Sequence, residues 1–228
     1  MYNVLKFEYA RNAFEYIINF YDIGEIYIPY YLCDVIRHSA HKQHCRIKFY
    51  HIDDKFYPAQ EFPTDSFILY PNYFGICDKN VSDLVKIYPN LIVDNAHAYY
   101  SRPCGLCCFN SAMKFGYGKG AYLYIFANDS GLSNVVQEID EGKKQKSRKK
   151  FLVIQEIFSG SNCIKDIDID SIPFCYPYLA VTIKEADELV RDLTENGLTI
   201  YRYWNSLPKN FLEYKFYSRL VPIPIQES

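Results

Sequence analysis

Short β-branched and aromatic runs alternating with helical stripes predict an α/β fold. The expected form is a mostly parallel sheet with helices on both faces, followed by a small C-terminal α+β domain. Two further observations support this. After residue 171 a second strand and helix pattern begins and ends in an extended, proline-broken tail. The 228-residue chain is also 49% hydrophobic, with 23 tyrosines and 16 phenylalanines, enough apolar surface for one main core and a small appendage.

Near the start, Ala10, Phe14, Ile17 and Tyr21 recur at three- and four-residue intervals, which predicts an amphipathic helix over 7–21 that Gly24 stops. IYIPYY (26–31) reads as a strand, 34–43 as a helix, and RIKFYHI (46–52) as a second strand. Asp53, Asp54 and Pro58 mark the following turn; FILY (67–70) is a third strand, broken by Pro71, Asn72 and Gly75. Asp78 is placed to cap a helix reaching about residue 88, and LIVD (91–94) is the fourth strand. Residues 128–150 are polar, and KKQKSRKK (143–150) reads as a solvated loop rather than a nucleic-acid surface. PFCYPYLAV (173–181) then predicts a strand, 184–196 a helix closed by Gly197, and LTIYRYW (198–204) another strand. The prolines of LVPIPI (220–225) restrict it to a sheet edge or an irregular extended segment. The expected division is a large domain over 1–127, a polar connection over 128–170 and a small domain over 171–228.

A formal charge of −2 gives no bulk attraction to nucleic acid or to anionic membranes. No apolar run is long enough to cross a bilayer, and MYNVLKFEYA lacks the apolar block of a secretion signal, so a soluble cytoplasmic protein is expected. The eight cysteines then read as reduced, burying thiols. Cys104, Cys107 and Cys108 include one CxxC, but no second metal-binding pair follows at zinc-finger spacing. His38, His41, His44 and Cys45 fall at helical spacing among Arg37, Lys42 and Arg46, which favours a solvated polar face over a metal site.

Chemistry concentrates in LIVDNAHAYYSRPCGLCCFNSAMKFGYGKGAYLY (91–124). A short apolar run ends in Asp94; 20 positions on, Lys114 lies between Ser111 and a glycine-rich turn at Gly116, Gly118 and Gly120. An acid and a lysine at strand ends suggest pyridoxal phosphate, which needs a lysine for its Schiff base, a carboxylate for its pyridine nitrogen and donors for its phosphate. In a parallel sheet, ligands gather at the carboxyl ends of the strands. Three groups fall there: the 29–33 turn, the Asn72 to Gly75 turn, and Asp94 with His97. Each has a plainer reading. Asp94 could cap its turn, Lys114 could lie on the surface, Ser111 could be a loop serine, and His97 a hydrogen-bonded structural histidine.

The order of segments resembles the DegT/StrS class of sugar-nucleotide aminotransferases, which are fold-type I pyridoxal phosphate enzymes. The matching pieces are ARNAFEYII, IYIPYYLCDVI, FILYPNYFG, VDNAHA, SAMKFGYGKGAYLY, and YPYLAV through VPIPI, covering most of the chain. The resemblance implies that Lys114 carries the coenzyme, that Asp94 pairs with its ring nitrogen, and that His97 sits near its ring hydroxyl. It implies Ser111 as a phosphate ligand, with Arg11 and Asn12 opening the first helix where the family has a small residue and a threonine. Cys33 stands where many relatives place an aromatic that stacks on the ring, so that contact would fall to Tyr31 or Tyr73. The implied reaction moves an amino group from glutamate or glutamine to a nucleotide-linked keto sugar, in a homodimer serving surface polysaccharide synthesis. The connection after the lysine-bearing segment is shorter than the family's, which leaves a noncatalytic relative, acting as a binding or assembly partner, as the alternative.

Overall fold

The structure, a computed structural model, describes residues 2–126 and 135–226. Part of the expected polar connection, 128–134, lies outside the described residues. Strands β1 (Tyr2–Phe7), β2 (Glu25–Pro29), β3 (Arg46–Tyr50), β4 (Ile68–Pro71), β5 (Leu91–Asn95), β6 (Cys107–Asn110) and β7 (Ala121–Phe126) form one sheet in the order β1-β7-β6-β5-β4-β2-β3. The pairings β2/β3, β2/β4, β4/β5 and β5/β6 are parallel, whereas β7 is antiparallel to both β6 and β1. Only β7 therefore runs against the others.

Side-chain alternation along these strands serves two apolar layers. Ile26, Ile28, Leu69, Ile92, Phe109 and Leu123 face helices α1 (Ala10–Phe20) and α2 (Asp34–Lys42), which bury Ala13, Phe14, Ile17 and Ile36 against them. Tyr70, Leu91, Val93 and Cys108 face the opposite way, toward Val81 and Leu84 of α3 (Asp78–Ile87) and toward Cys175, Phe216 and Tyr217 from the C-terminal part. Helices thus cover both faces of a mostly parallel sheet, as predicted.

The C-terminal part contains α4 (Glu141–Phe158), β8 (Cys175–Leu179), α5 (Ile183–Glu195), α6 (Tyr214–Tyr217) and β9 (Leu220–Pro224), with β8 and β9 paired antiparallel. Thr182 and Glu185 form a reciprocal capping box that starts α5. Two expectations fail here. The basic run 143–150 is helical rather than a loop: Asp140 accepts a hydrogen bond from the Lys143 amide, and Ser147, Phe151, Ile154 and Phe158 make a stripe whose Phe151 is fully buried against Tyr176 and Val221. The lysines occupy the outer side of that helix, so their charge hides a one-sided apolar pattern. Residues 198–204 form no strand; left-handed Gly197 (φ 85°) and Trp204 (φ 51°) bracket the segment and break its extended run. No helix among the described residues is long and apolar enough to cross a membrane.

Candidate active site

Because β1, β2, β4, β5 and β6 run in one direction, their carboxyl ends open onto the same edge. A cavity of about 190 Å³ sits there, smaller than the ~300–1,000 Å³ of sites for drug-sized ligands. Each following segment supplies a wall: Tyr9 and Arg11 after β1, Cys33 after β2, Asn72 after β4, Asp94 and His97 from β5 and its turn, and Ser111 with Lys114 after β6. Five chain segments thus converge as the crossover topology requires. No group of three or more histidine, cysteine or acidic side chains among the described residues is placed to hold a metal.

Asn72 fixes the middle of this edge. Its amide nitrogen donates to the Asp94 carbonyl (2.9 Å), its side-chain amide donates to Asp78 (2.6 Å) and Asn95 (3.2 Å), and its Oδ1 accepts from the Cys77 amide (2.9 Å). The end of β5, the turn after β4 and the start of α3 are therefore tied together. Asp94 is buried, with Oδ1 accepting from the Ala96 amide at 2.8 Å. Burial pushes its carboxyl up to about 6, opposed by that amide and by the Lys114 charge.

Lys114 lies in a single helical turn, Met113–Phe115, closed by left-handed Gly116 (φ 72°) and anchored by buried Phe115. It is half-buried, with Nζ 5.4 Å from the centre of the Phe174 ring. Loss of hydration lowers its pKa, while the negative charge of Asp94 acts to hold it up. The two groups feel each other's charge within one cavity.

His97 is buried and packed in aromatic rings: Phe174 at 4.7 Å, Tyr203 at 5.5 Å and Trp204 at 5.4 Å, the last nearly parallel at 8°. Desolvation drives its pKa well below the ordinary histidine value, and the Lys114 charge adds to the effect. Its Nε2 is buried with no hydrogen-bond partner among the described residues, an expensive state for a polar atom. A neutral imidazole aimed at this cavity is ready to bond a ligand hydroxyl.

Ser111 and Arg11 also line the cavity, but Asn12 does not. Tyr31 and Tyr73, expected to stack on a ring here, are core residues that take no part in the cavity wall. They stack on each other at 5.7 Å, and the Tyr73 hydroxyl donates to the Tyr31 carbonyl. The reason is register. Both rings turn into the layer with Phe56 and Tyr217, behind the strand ends rather than in front of them. Sequence reading also missed Ala96 and Trp204 as wall residues. Ala96 was legible as the small residue two positions after Asp94; Trp204 carried no local signal, arriving from 110 positions beyond Asp94.

The turn that closes this edge leaves no room for a side chain at Gly75. A Cβ there would lie 2.3 Å from the His97 carbonyl oxygen and 3.0 Å from Pro173 Cα, on a backbone at φ 85°. Gly75→Ala should therefore cost about 2–3 kcal/mol in denaturant unfolding. It should also disturb His97, because the His97 carbonyl accepts from the Phe174 amide (3.2 Å) beside that contact.

The sheet order, the reversed β7, the small C-terminal sheet and the acid and lysine at one edge define a class. The chain has the fold-type I aminotransferase fold, and several of the similar solved structures are sugar aminotransferases. Sugar aminotransferase CalS13 from Micromonospora echinospora matches with a TM-score of 0.71 at 11% identity, over 97% of this chain and 82% of that one. A DegT DnrJ EryC1 StrS aminotransferase from Brucella abortus matches at 0.70 and 13%, over 98% and 80%. Helicobacter pylori PseC, an aminotransferase involved in the biosynthesis of pseudoaminic acid, matches at 0.66 and 14%, over 97% and 81%. No family model and no curated protein sequence matches this chain. At such identities the likeness establishes the fold.

Proposed function

We propose that this protein is a pyridoxal 5'-phosphate-dependent aminotransferase that moves an amino group from glutamate or glutamine to a nucleotide-linked keto sugar. The supporting observation is the shared cavity of Asp94 and Lys114, set at the ends of neighbouring strands and coupled through their charges. The residues present suit the coenzyme: a desolvated amine, a buried carboxylate and a His97 whose Nε2 has no hydrogen-bond partner among the described residues. When bound, it supplies a sink for the electrons released as a substrate carbon loses its proton.

Lys114 would hold the coenzyme, Asp94 would face its ring nitrogen, His97 its ring hydroxyl, and Ser111 with Arg11 and the first turn of α1 its phosphate. Lys114 Nζ is then the proton carrier. Desolvation makes it a better base at neutral pH than an exposed lysine, so it takes the proton from the amine-bearing carbon and returns one to the keto carbon. Asp94 would bring a carboxylate to the same cavity wall as Lys114. The aromatic packing around His97 excludes water and keeps its imidazole uncharged. A noncatalytic protein would keep a desolvated amine and an orphaned imidazole nitrogen at a cost and with no return. A cytoplasmic homodimer serving surface polysaccharide synthesis completes the reading.

Incubation with pyridoxal 5'-phosphate should give a yellow protein. Borohydride reduction should then fix the label on the peptide containing Lys114. A colourless product, or label on another lysine, would overturn the proposal.

A further inference from the structure

Residues 196–213, between α5 and α6, form neither helix nor strand. An irregular connection longer than roughly 12–15 residues is uncommon in a compact domain unless it serves a site. This strap carries Trp204, the sole tryptophan of the chain, to the wall of the strand-end cavity. The Trp204 backbone is left-handed (φ 51°), a costly conformation for so bulky a side chain that persists only where the surrounding packing over-determines it.

The strap is pinned on both sides of that residue. Arg202 donates to Asp187 Oδ1 at 2.7 Å and to the Ser218 carbonyl at 3.4 Å, and the Leu207 carbonyl accepts from the Tyr217 hydroxyl at 2.9 Å. At the far end Glu213 is fully buried; its carboxylate accepts from the Ile52 amide at 3.0 Å and meets His51 Nδ1 at 3.0 Å. Between these anchors the indole lies nearly parallel to His97 (5.4 Å, 8°) and meets Tyr31 edge-on (4.9 Å, 82°). Phe174 is also close to parallel with the imidazole (4.7 Å, 21°), so two ring planes set the tilt of a third. Of the rings packed on His97 among the described residues, only that of Trp204 also borders the cavity.

Resting on the aminotransferase reading for what His97 meets, we infer that Trp204 is a positioning residue: delivered by the strap, it holds the His97 imidazole with Nε2 turned to the cavity. Nε2 has no hydrogen-bond partner among the described residues, so stacking rather than a bond at that atom aims it. The titratable groups ranged about the ring are Lys114 and Asp94 on the cavity wall, Tyr203 in the strap and Cys175 beside Phe174. The Lys114 charge works with burial against protonation of the imidazole, and the docked indole supplies part of that burial. The site is therefore completed from the C-terminal part, by a residue that reaches the coenzyme only through His97.

NMR of isotopically histidine-labelled, coenzyme-free protein across pH reads the imidazole without any turnover, the His97 signal being identified by its loss in His97→Gln. In the parent that signal should stay neutral below the ordinary histidine range. Trp204→Leu should admit water and move the titration up toward the ordinary value. It should also weaken capture of pyridoxal 5'-phosphate, followed by visible absorbance, about tenfold, roughly the worth of one hydrogen bond to a charged partner. Trp204→Phe, which keeps a ring on the imidazole, should restore both. Arg202→Gln frees one anchor and keeps the indole, so acrylamide quenching of the sole tryptophan and the His97 titration should rise together. Leu189→Ala, packed in the C-terminal core away from the cavity, should lower the unfolding midpoint and move neither readout. An unmoved His97 titration in Trp204→Leu would overturn the inference. So would greater quenching without a titration shift in Arg202→Gln, or an equal shift in Leu189→Ala, which would mark general packing. A parent that takes up no coenzyme would instead overturn the aminotransferase reading, with the His97 titration still deciding the role of Trp204.

Discussion

Lys114→Ala is expected to abolish amino transfer, lowering kcat by a factor on the order of 10⁴, with the protein still folded. The side chain is both the attachment point and the proton carrier in the proposed cycle, and no other lysine borders the coenzyme cavity among the described residues. The folded coenzyme-free variant should be at least as stable as the parent. Its amine loses hydration on folding and regains only part of that through Asp94, Cys33 and Cys175. Single-turnover kinetics and thermal unfolding of the same preparation check both halves. Residual turnover near the parent rate would remove Lys114 from the chemistry.

Under the proposed function Asp94→Asn should lower kcat on the order of 10³-fold, while coenzyme capture weakens far less, because the proposed phosphate and Lys114 contacts would remain. Its second signature is in stability. The carboxyl is raised from an ordinary value of 3.8 to about 6 in the fold, so between those values the folded state holds a proton that the unfolded chain has released. Stability contributed at this position is therefore full below about pH 4 and is lost as pH rises through 6, a cost of about 3 kcal/mol above it. Asparagine keeps the acceptor for the Ala96 amide and carries no charge. The coenzyme-free variant should consequently be more stable than the parent at pH 8 and no different below pH 4. Unfolding curves across that range measure the difference, and a pH-independent gap would contradict the buried, ionising carboxylate.

The central strands, and the gathering of Asp94, Ser111 and Lys114 at their ends, were readable because both depend on short-range patterns. The runs at 26–31, 67–70 and 91–94 are strongly β-forming, and topology then carries Asp94, Ser111 and Lys114 to one edge. β1 was not read because YNVLKF gains its partner, β7, from more than 100 positions away. β6 is only four residues, and its CCFN, read only as burying thiols, is too short to stand out as a strand until burial on both faces is seen. The helix at 141–158 was hidden by charge, although Ser147, Phe151, Ile154 and Phe158 hold helical spacing throughout. Tyr31 and Tyr73 were misplaced because the choice between cavity wall and core depends on which way a turn residue points. The positive φ of Phe74 (56°) and Gly75 (85°) sets that local path, and sequence gives no direct sign of it.

The pairing of the first strand with the last strand of the large sheet, Tyr2 against Phe126, bears on the order of folding. The turn leading into α1 lines the strand-end cavity, and β1 has no neighbour in the sheet other than β7 among the described residues. A nascent chain emerging from the ribosome can assemble the central strands early, but it must span this long sequence separation before its opening segment docks. The wall that this opening segment gives the strand-end cavity is therefore completed late in synthesis, after most of the scaffold has already formed.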